Sequence, residues 1–181
     1  SGTMAHSWVM AQRDELTAFR KYMDLYGGSS VLLVDTYDSV AAIELIVGAG
    51  FRPAAVRLDS GDLAGLSQVV RARLDAGGLT ETKILVSGDL DEHRSAELIS
   101  SGAPIDGFGV GTALSTVADA SSLSGVYKLV EIERDDLMMP LVKLSAGKET
   151  LPASKQIWRL SDVGGSIVSV GGLGASIASG P

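Results

Sequence analysis

The feature that most restricts the fold is a repeated unit: a short apolar run, a polar cluster at its end, then a helical stretch. Val31 to Val34 ends at Asp35, and Ala54 to Leu58 ends in Asp59-Ser60-Gly61-Asp62. Ile84 to Val86 ends in Ser87-Gly88-Asp89, and Gly107 to Val110 ends in Gly111-Thr112. Short apolar runs without alternation read as strands covered on both faces, the habit of parallel sheets. Between them Ser39–Gly48, Leu63–Ala76 and Glu92–Ser101 read as helices. A longer helix is expected from Met10 to Tyr26, with apolar residues at Leu16, Phe19, Met23 and Tyr26 and a stop at Gly27-Gly28. Two further strand-like runs fall at Val126–Ile132 and Leu141–Leu144.

The polar clusters return about every 23 to 29 residues, the length of a short βα unit in a (β/α) barrel. Eight such units need roughly 200 residues or more, and only four are visible in these 181. The expectation is therefore an α/β fold, a partial (β/α) barrel. Residues 1–160 form that barrel part and 161–181 a Gly/Ser-rich, atypical tail that reads as loose or irregular. Barrels and open parallel sheets both place ligands at the carboxyl ends of their strands, where each cluster sits.

Charge and composition narrow the function. Fifteen Lys and Arg stand against 22 Asp and Glu, a net −7, which argues against a general nucleic-acid or membrane-surface binder. The absence of cysteine removes disulfides and thiolate chemistry and fits a cytoplasmic setting. Neither a signal peptide nor a transmembrane stretch is read from the sequence.

The clusters carry two kinds of chemistry. "VSGDLDE" and "GFGVGT" place glycines at consecutive strand ends before helices, where backbone N–H groups and a helix dipole suit a phosphate. Glycines also simply make turns, so the pairing of the two loops counts for more than either alone. Asp35 and Asp59 terminate apolar strands and suit Mg²⁺ or ribose hydroxyls. Asp38 and Asp62, a few residues on, read as helix N-caps. Arg57 lies two positions before Asp59 and shares its face by strand alternation. It suits a carboxylate or an aromatic ring, and equally a structural ion pair. Of the two histidines, His93 reads as a surface residue. His6, in "SGTMAHSWV", is open to a capping, packing or nucleophilic role. Lys143, Lys148 and Lys155 read either as a basic loop for phosphates or as a solvated turn.

Seven blocks, "GTMAHSWV", "LLVDTYD", "VRLDSGDL", "ILVSGDLDE", "GFGVGTAL", "YKLVE" and "KLSAGKETLPASKQIWR", stand in the order and spacing of nicotinate phosphoribosyltransferase. The resemblance covers positions 2 to about 159. It implies a type II phosphoribosyltransferase barrel lacking its N-terminal domain and early strands, the second half of a longer enzyme. It also implies transfer of phosphoribosyl from phosphoribosyl pyrophosphate to nicotinate. Nicotinate mononucleotide and pyrophosphate are the products, in NAD biosynthesis. ATP is the co-substrate, Mg²⁺ the cofactor and a homodimer the full-length state, with no nucleic-acid or membrane partner.

By position, His6 corresponds to the histidine that ATP phosphorylates, and Thr3 and Arg57 to contacts with nicotinate. Asp59, Gly88, Asp89, Gly111 and Thr112 correspond to the phosphoribosyl pyrophosphate site, with Asp35 and Asp59 at Mg²⁺. Ala153-Ser154 departs from the family pattern, as does everything after Arg159. The other readings are an enzyme acting on nicotinamide or quinolinate, and an inactive fragment that binds phosphoribosyl compounds.

Overall fold

Four aspartates start four helices. Asp14, Asp38, Asp62 and Asp91 each accept a hydrogen bond from the backbone N–H three residues on, at 2.7, 2.8, 3.2 and 2.7 Å. Each cap satisfies a donor that the first helical turn leaves without an intrahelical partner. In the computed structural model, which describes residues 4–117, 127–143, 150–160 and 167–172, these caps open α2 (Glu15–Tyr26), α3 (Ser39–Gly48), α4 (Leu63–Ala76) and α5 (Glu92–Ser100). Asp38 and Asp62 are thus N-caps, as expected.

The helix expected from Met10 to Tyr26 is two helices, with α1 spanning His6–Ala11. Asp14 accounts for the break. Its capping bond to the Thr17 N–H is made from an extended backbone at φ −155°, which no continuous helix allows. The apolar period runs through the break because both helices bury one face: Val9 and Met10 from α1, Ala18 and Phe19 from α2.

The strands are β1 (Val31–Leu33), β2 (Ala55–Leu58), β3 (Lys83–Val86) and β4 (Gly107–Phe108). They form one parallel sheet in the order β1-β2-β3-β4. Each strand joins the edge left by the one before, with α3, α4 and α5 as the crossovers. A doubly wound sheet reverses direction partway across; this sequential order is the course of a (β/α) barrel wall. The fold class is the expected one, a partial α/β barrel. Leu32, Leu33, Val34, Val56, Leu58, Ile84 and Val86 are fully buried against Ile43, Ile46, Val70 and Leu74.

The chain divides into two units: residues 1–128 with 143–149, and residues 129–142 with 150–181. This division differs from the expected one at 160/161. In the second unit β5 (Glu131–Arg134) and β6 (Leu137–Pro140) form an antiparallel hairpin, and β7 (Lys155–Leu160) pairs with β8 (Ile167–Gly172). The tail read as loose therefore supplies a strand, β8, whose backbone groups are taken up by the ladder. The strand-like run at Leu141–Leu144 is displaced upstream to β6, and its last residue lies outside the described ones. Asp135 and Asp136 both take positive φ, 51° and 60°, the geometry of the tight hairpin turn, and that turn fixes the register Arg134↔Leu137. Helix α6 (Thr112–Ser115) closes the first unit's described elements. Among the described residues no helix is long and apolar enough to cross a membrane.

Glu15 is the carboxylate that this packing treats worst. It is 8% exposed, and its Oε1 is buried without a hydrogen-bond partner among the described residues. Burial, then the negative charges of Asp38 and Asp35, push its carboxyl up to about 7 from an ordinary 4.5. The folded state therefore holds this proton more tightly than the unfolded chain. Its stabilising effect is complete below pH 4.5 and lost as pH rises through 7. Relative to Glu15→Gln, the parent chain should lose up to ~3 kcal/mol between pH 4 and 8 in urea melts.

A second prediction concerns the contact of α3 with α4. A Cβ at Gly77 would run into both methyls of Val47, one of them 2.9 Å away. Gly77→Ala should cost about 1–3 kcal/mol by overpacking, measured by equilibrium denaturation. Adding Val47→Ala should return part of that loss.

Candidate active site

The register of the sheet builds the site. Leu33 is level with Arg57 across β1 and β2, so the two residues that follow on each strand, Asp35 and Asp59, come side by side. The Asp59 N–H donates to Asp35 Oδ2 at 3.0 Å, and Ser60 Oγ donates to the same oxygen at 2.7 Å. On the other side, Ser87 Oγ at the end of β3 donates to Asp59 Oδ1 at 2.5 Å. Each carboxylate thus has one oxygen tied down by hydroxyl or amide donors, which fixes where its second oxygen points.

His6 lies at those second oxygens. Its Nε2 is 3.8 Å from Asp35 Oδ1 and 3.6 Å from Asp59 Oδ2. Its Nδ1 is 3.0 Å from Oγ1 of Thr36, a residue buried to 0% exposure. Two carboxylates beside Nε2 favour the tautomer that carries its proton there, which leaves the Nδ1 lone pair to accept from the Thr36 hydroxyl. Nδ1 is then the ring nitrogen with the available lone pair, on the edge turned to Thr36.

Arg57 positions the segment that carries His6. Its Nη2 donates to the Met4 carbonyl at 2.6 Å, while its Nε is buried without a hydrogen-bond partner among the described residues. Arg57 also borders a cleft of about 500 Å³ that runs past Ser87 to residues 107–111. Leu85, Val86, Phe108 and Val110 also line this cleft. Gly109 N–H donates to the Val86 carbonyl at 2.7 Å, and a Cβ on Gly109 would lie 3.2 Å from that of Ser87. Gly111 borders the cleft with open space around its Cα.

The residues singled out from sequence are not all gathered equally. His6, Asp35, Asp59 and Arg57 come together, and Gly111 lies on the cleft. Gly88 and Asp89, with φ of 98° and 51°, form the left-handed turn after β3 and do not line the cleft, nor does Thr112 at the start of α6. Thr3 lies outside the described residues, as does Lys148. Lys143 is buried at 4% exposure, which rules out a solvated turn for it, and Lys155 Nζ donates to the Leu151 carbonyl at 2.6 Å. His93 is exposed on α5, as expected.

Sequence reading passed over Thr36, Ser60 and Ser87, the hydroxyls that hold the three central side chains. Thr36 follows Asp35, Ser60 lies inside the cluster Asp59-Ser60-Gly61-Asp62 and Ser87 opens the cluster Ser87-Gly88-Asp89, but a hydroxyl carries no signature until its partner is known. Glu15, beside Asp35 in its electrostatics, was hidden as an ordinary first-turn acid.

Among the described residues no group of three or more His, Cys, Asp or Glu side chains is gathered as a protein-only metal cage. Two aspartates with hard oxygen donors fit a different case, a Mg²⁺ that arrives with phosphates and takes one or two carboxylates from the protein.

No family model matches the chain. It is 46% identical over 169 residues to the nicotinate phosphoribosyltransferase of Bacillus subtilis, covering 88% of this chain and 34% of that protein. It is 44% identical over 164 residues to a nicotinate phosphoribosyltransferase of Mycobacterium tuberculosis, with 87% and 34% covered. Its fold superposes on the crystal structure of nicotinate phosphoribosyltransferase from Porphyromonas gingivalis with a TM-score of 0.71 at 25% identity, over 83% of this chain and 43% of that one. The chain thus spans about a third of the length of the curated relatives it matches. Over that third, in sequence and in the course of its parallel sheet, it is similar to the nicotinate phosphoribosyltransferases.

Proposed function

We propose that this chain is the catalytic part of a cytoplasmic, homodimeric enzyme that transfers phosphoribosyl from phosphoribosyl pyrophosphate to nicotinate. The products are nicotinate mononucleotide and pyrophosphate, in NAD biosynthesis, and ATP hydrolysis drives the reaction through a phosphohistidine at His6. The observation that carries this reading is the setting of His6. One ring nitrogen faces two carboxylates, the other faces Thr36, and the cleft lined by residues 107–111 adjoins.

In the coupling step the Nδ1 lone pair attacks the γ-phosphorus of ATP. A P–N bond forms, the bond to the bridging oxygen breaks, and ADP leaves. Thr36 gives up its bond to Nδ1, while Asp35 and Asp59 hold the Nε2 proton and the ring orientation through both states. Water later cleaves the P–N bond and releases phosphate, returning His6 to its starting form. When bound, Mg²⁺ at Asp35 and Asp59 neutralises charge on the phosphates.

In the transfer step the bond from the anomeric carbon to pyrophosphate breaks, and the ring nitrogen of nicotinate takes its place. The positive charge that develops on the ribose suits the acidic strand ends. The glycine backbone of residues 107–111 and the turn at Gly88 and Asp89 suit the 5-phosphate. Arg57, with its unsatisfied Nε, suits the nicotinate carboxylate. Thr3 belongs to the same subsite on this reading.

Incubation of the full-length protein with γ-labelled ATP should give acid-labile phosphate on histidine. His6→Ala should abolish that label, and turnover should favour nicotinate over nicotinamide. Label that survives His6→Ala, or turnover of nicotinamide alone, would refute the assignment.

A further inference from the structure

One hydroxyl stands in two places at once. Ser87 forms part of the wall of the cleft that leads to residues 107–111, and the same Oγ donates to Asp59 Oδ1 at 2.5 Å. The other oxygen of that carboxylate is 3.6 Å from His6 Nε2. Arg57 and Ser87 both border the cleft, and the Ser87 hydroxyl is bonded to Asp59. A serine hydroxyl has a single proton to donate. It can serve Asp59 or an anionic oxygen in the cleft, but not both at full strength. Bonds of this kind, to a charged acceptor, are the strong ones, so moving the proton from one acceptor to the other changes the charge that Asp59 presents to the ring.

We propose that Ser87 is a positioning residue that couples occupancy of the cleft to the reactivity of His6. With the cleft empty, Ser87 holds Asp59 and spreads part of its charge into the hydrogen bond. With a phosphate or pyrophosphate oxygen in the cleft, Ser87 turns to the ligand. Asp59 then gives up less of its charge to Ser87 and favours the cationic, phosphorylated ring. The short reach of Gly109 makes the switch possible: any side chain there would press on the Ser87 Cβ, 3.2 Å from the place a Cβ would take. This inference rests on the phosphohistidine reading and adds to it the means by which substrate governs use of ATP.

The test uses the full-length enzyme and reads ADP release and nicotinate mononucleotide formation side by side, with and without phosphoribosyl pyrophosphate. Wild type should hydrolyse ATP faster when phosphoribosyl pyrophosphate is present. In Ser87→Ala that stimulation should fall roughly tenfold or more, the size expected for a hydrogen bond to a charged group, and more ADP should be released per mononucleotide formed. Ser87→Thr, which keeps the donor, should restore both ratios. Unchanged stimulation in Ser87→Ala overturns the proposal, and so does a parallel fall of both reactions at constant ratio in a folded variant. If Ser87→Ala does not fold, Ser87→Thr with stimulation lost also overturns it. A wild-type enzyme with no phosphohistidine at all refutes the functional reading instead, a result distinct from the others.

Discussion

The hydrogen bond from the Asp59 N–H to Asp35 Oδ2 is the contact on which the site depends. It lies past the end of the β1–β2 ladder, beyond the bond from the Val34 N–H to the Arg57 carbonyl, and it depends on the parallel register of the two strands. A slip of one residue would turn Asp59 to the other face of the sheet and leave His6 with a single carboxylate. The buried core beneath, from Leu32 and Val56 to Ile84, sets that register. The geometry of the His6 site is thus a by-product of how apolar strands choose their neighbours.

Hydroxyl groups finish what the register begins. Ser60, Ser87 and Thr36 each take one polar atom of the central three side chains, so that the atoms left over face one another. A pair of carboxylates so close would repel in isolation. Donors on their outer oxygens and an imidazole between their inner ones make the arrangement tolerable. The cleft lined by residues 107–111 adjoins this polar cluster through Ser87 and Arg57.

Much of the frame was readable in the sequence. The bounds of α3 and α4 follow from an apolar face with an aspartate before it, and the four strands follow from apolar runs that end in polar clusters. The break between α1 and α2 was not readable, because apolar periodicity continues through Gln12 to Asp14 while a capping bond, invisible to periodicity, stops the helix. The β5–β6 hairpin was displaced for a similar reason: Asp135-Asp136 adopts a turn that sequence patterns assign to Asn-Gly or Asp-Gly. In the site, the acids and His6 stood out one by one. Their meeting did not, since it depends on register across 24 to 30 positions of chain. The hydroxyls were legible only afterwards.

Arg57 donates to the Met4 carbonyl across 53 positions of chain, and that tie sets the order in which the molecule can assemble. Closing so long a loop is entropically costly and gains little until β2 is docked. The segment leading into α1 therefore has no fixed place before the sheet exists. Until β1 and β2 are paired, His6 has neither its two carboxylates nor Thr36 beside it. The polar setting of His6 arrives with the sheet, and not before it.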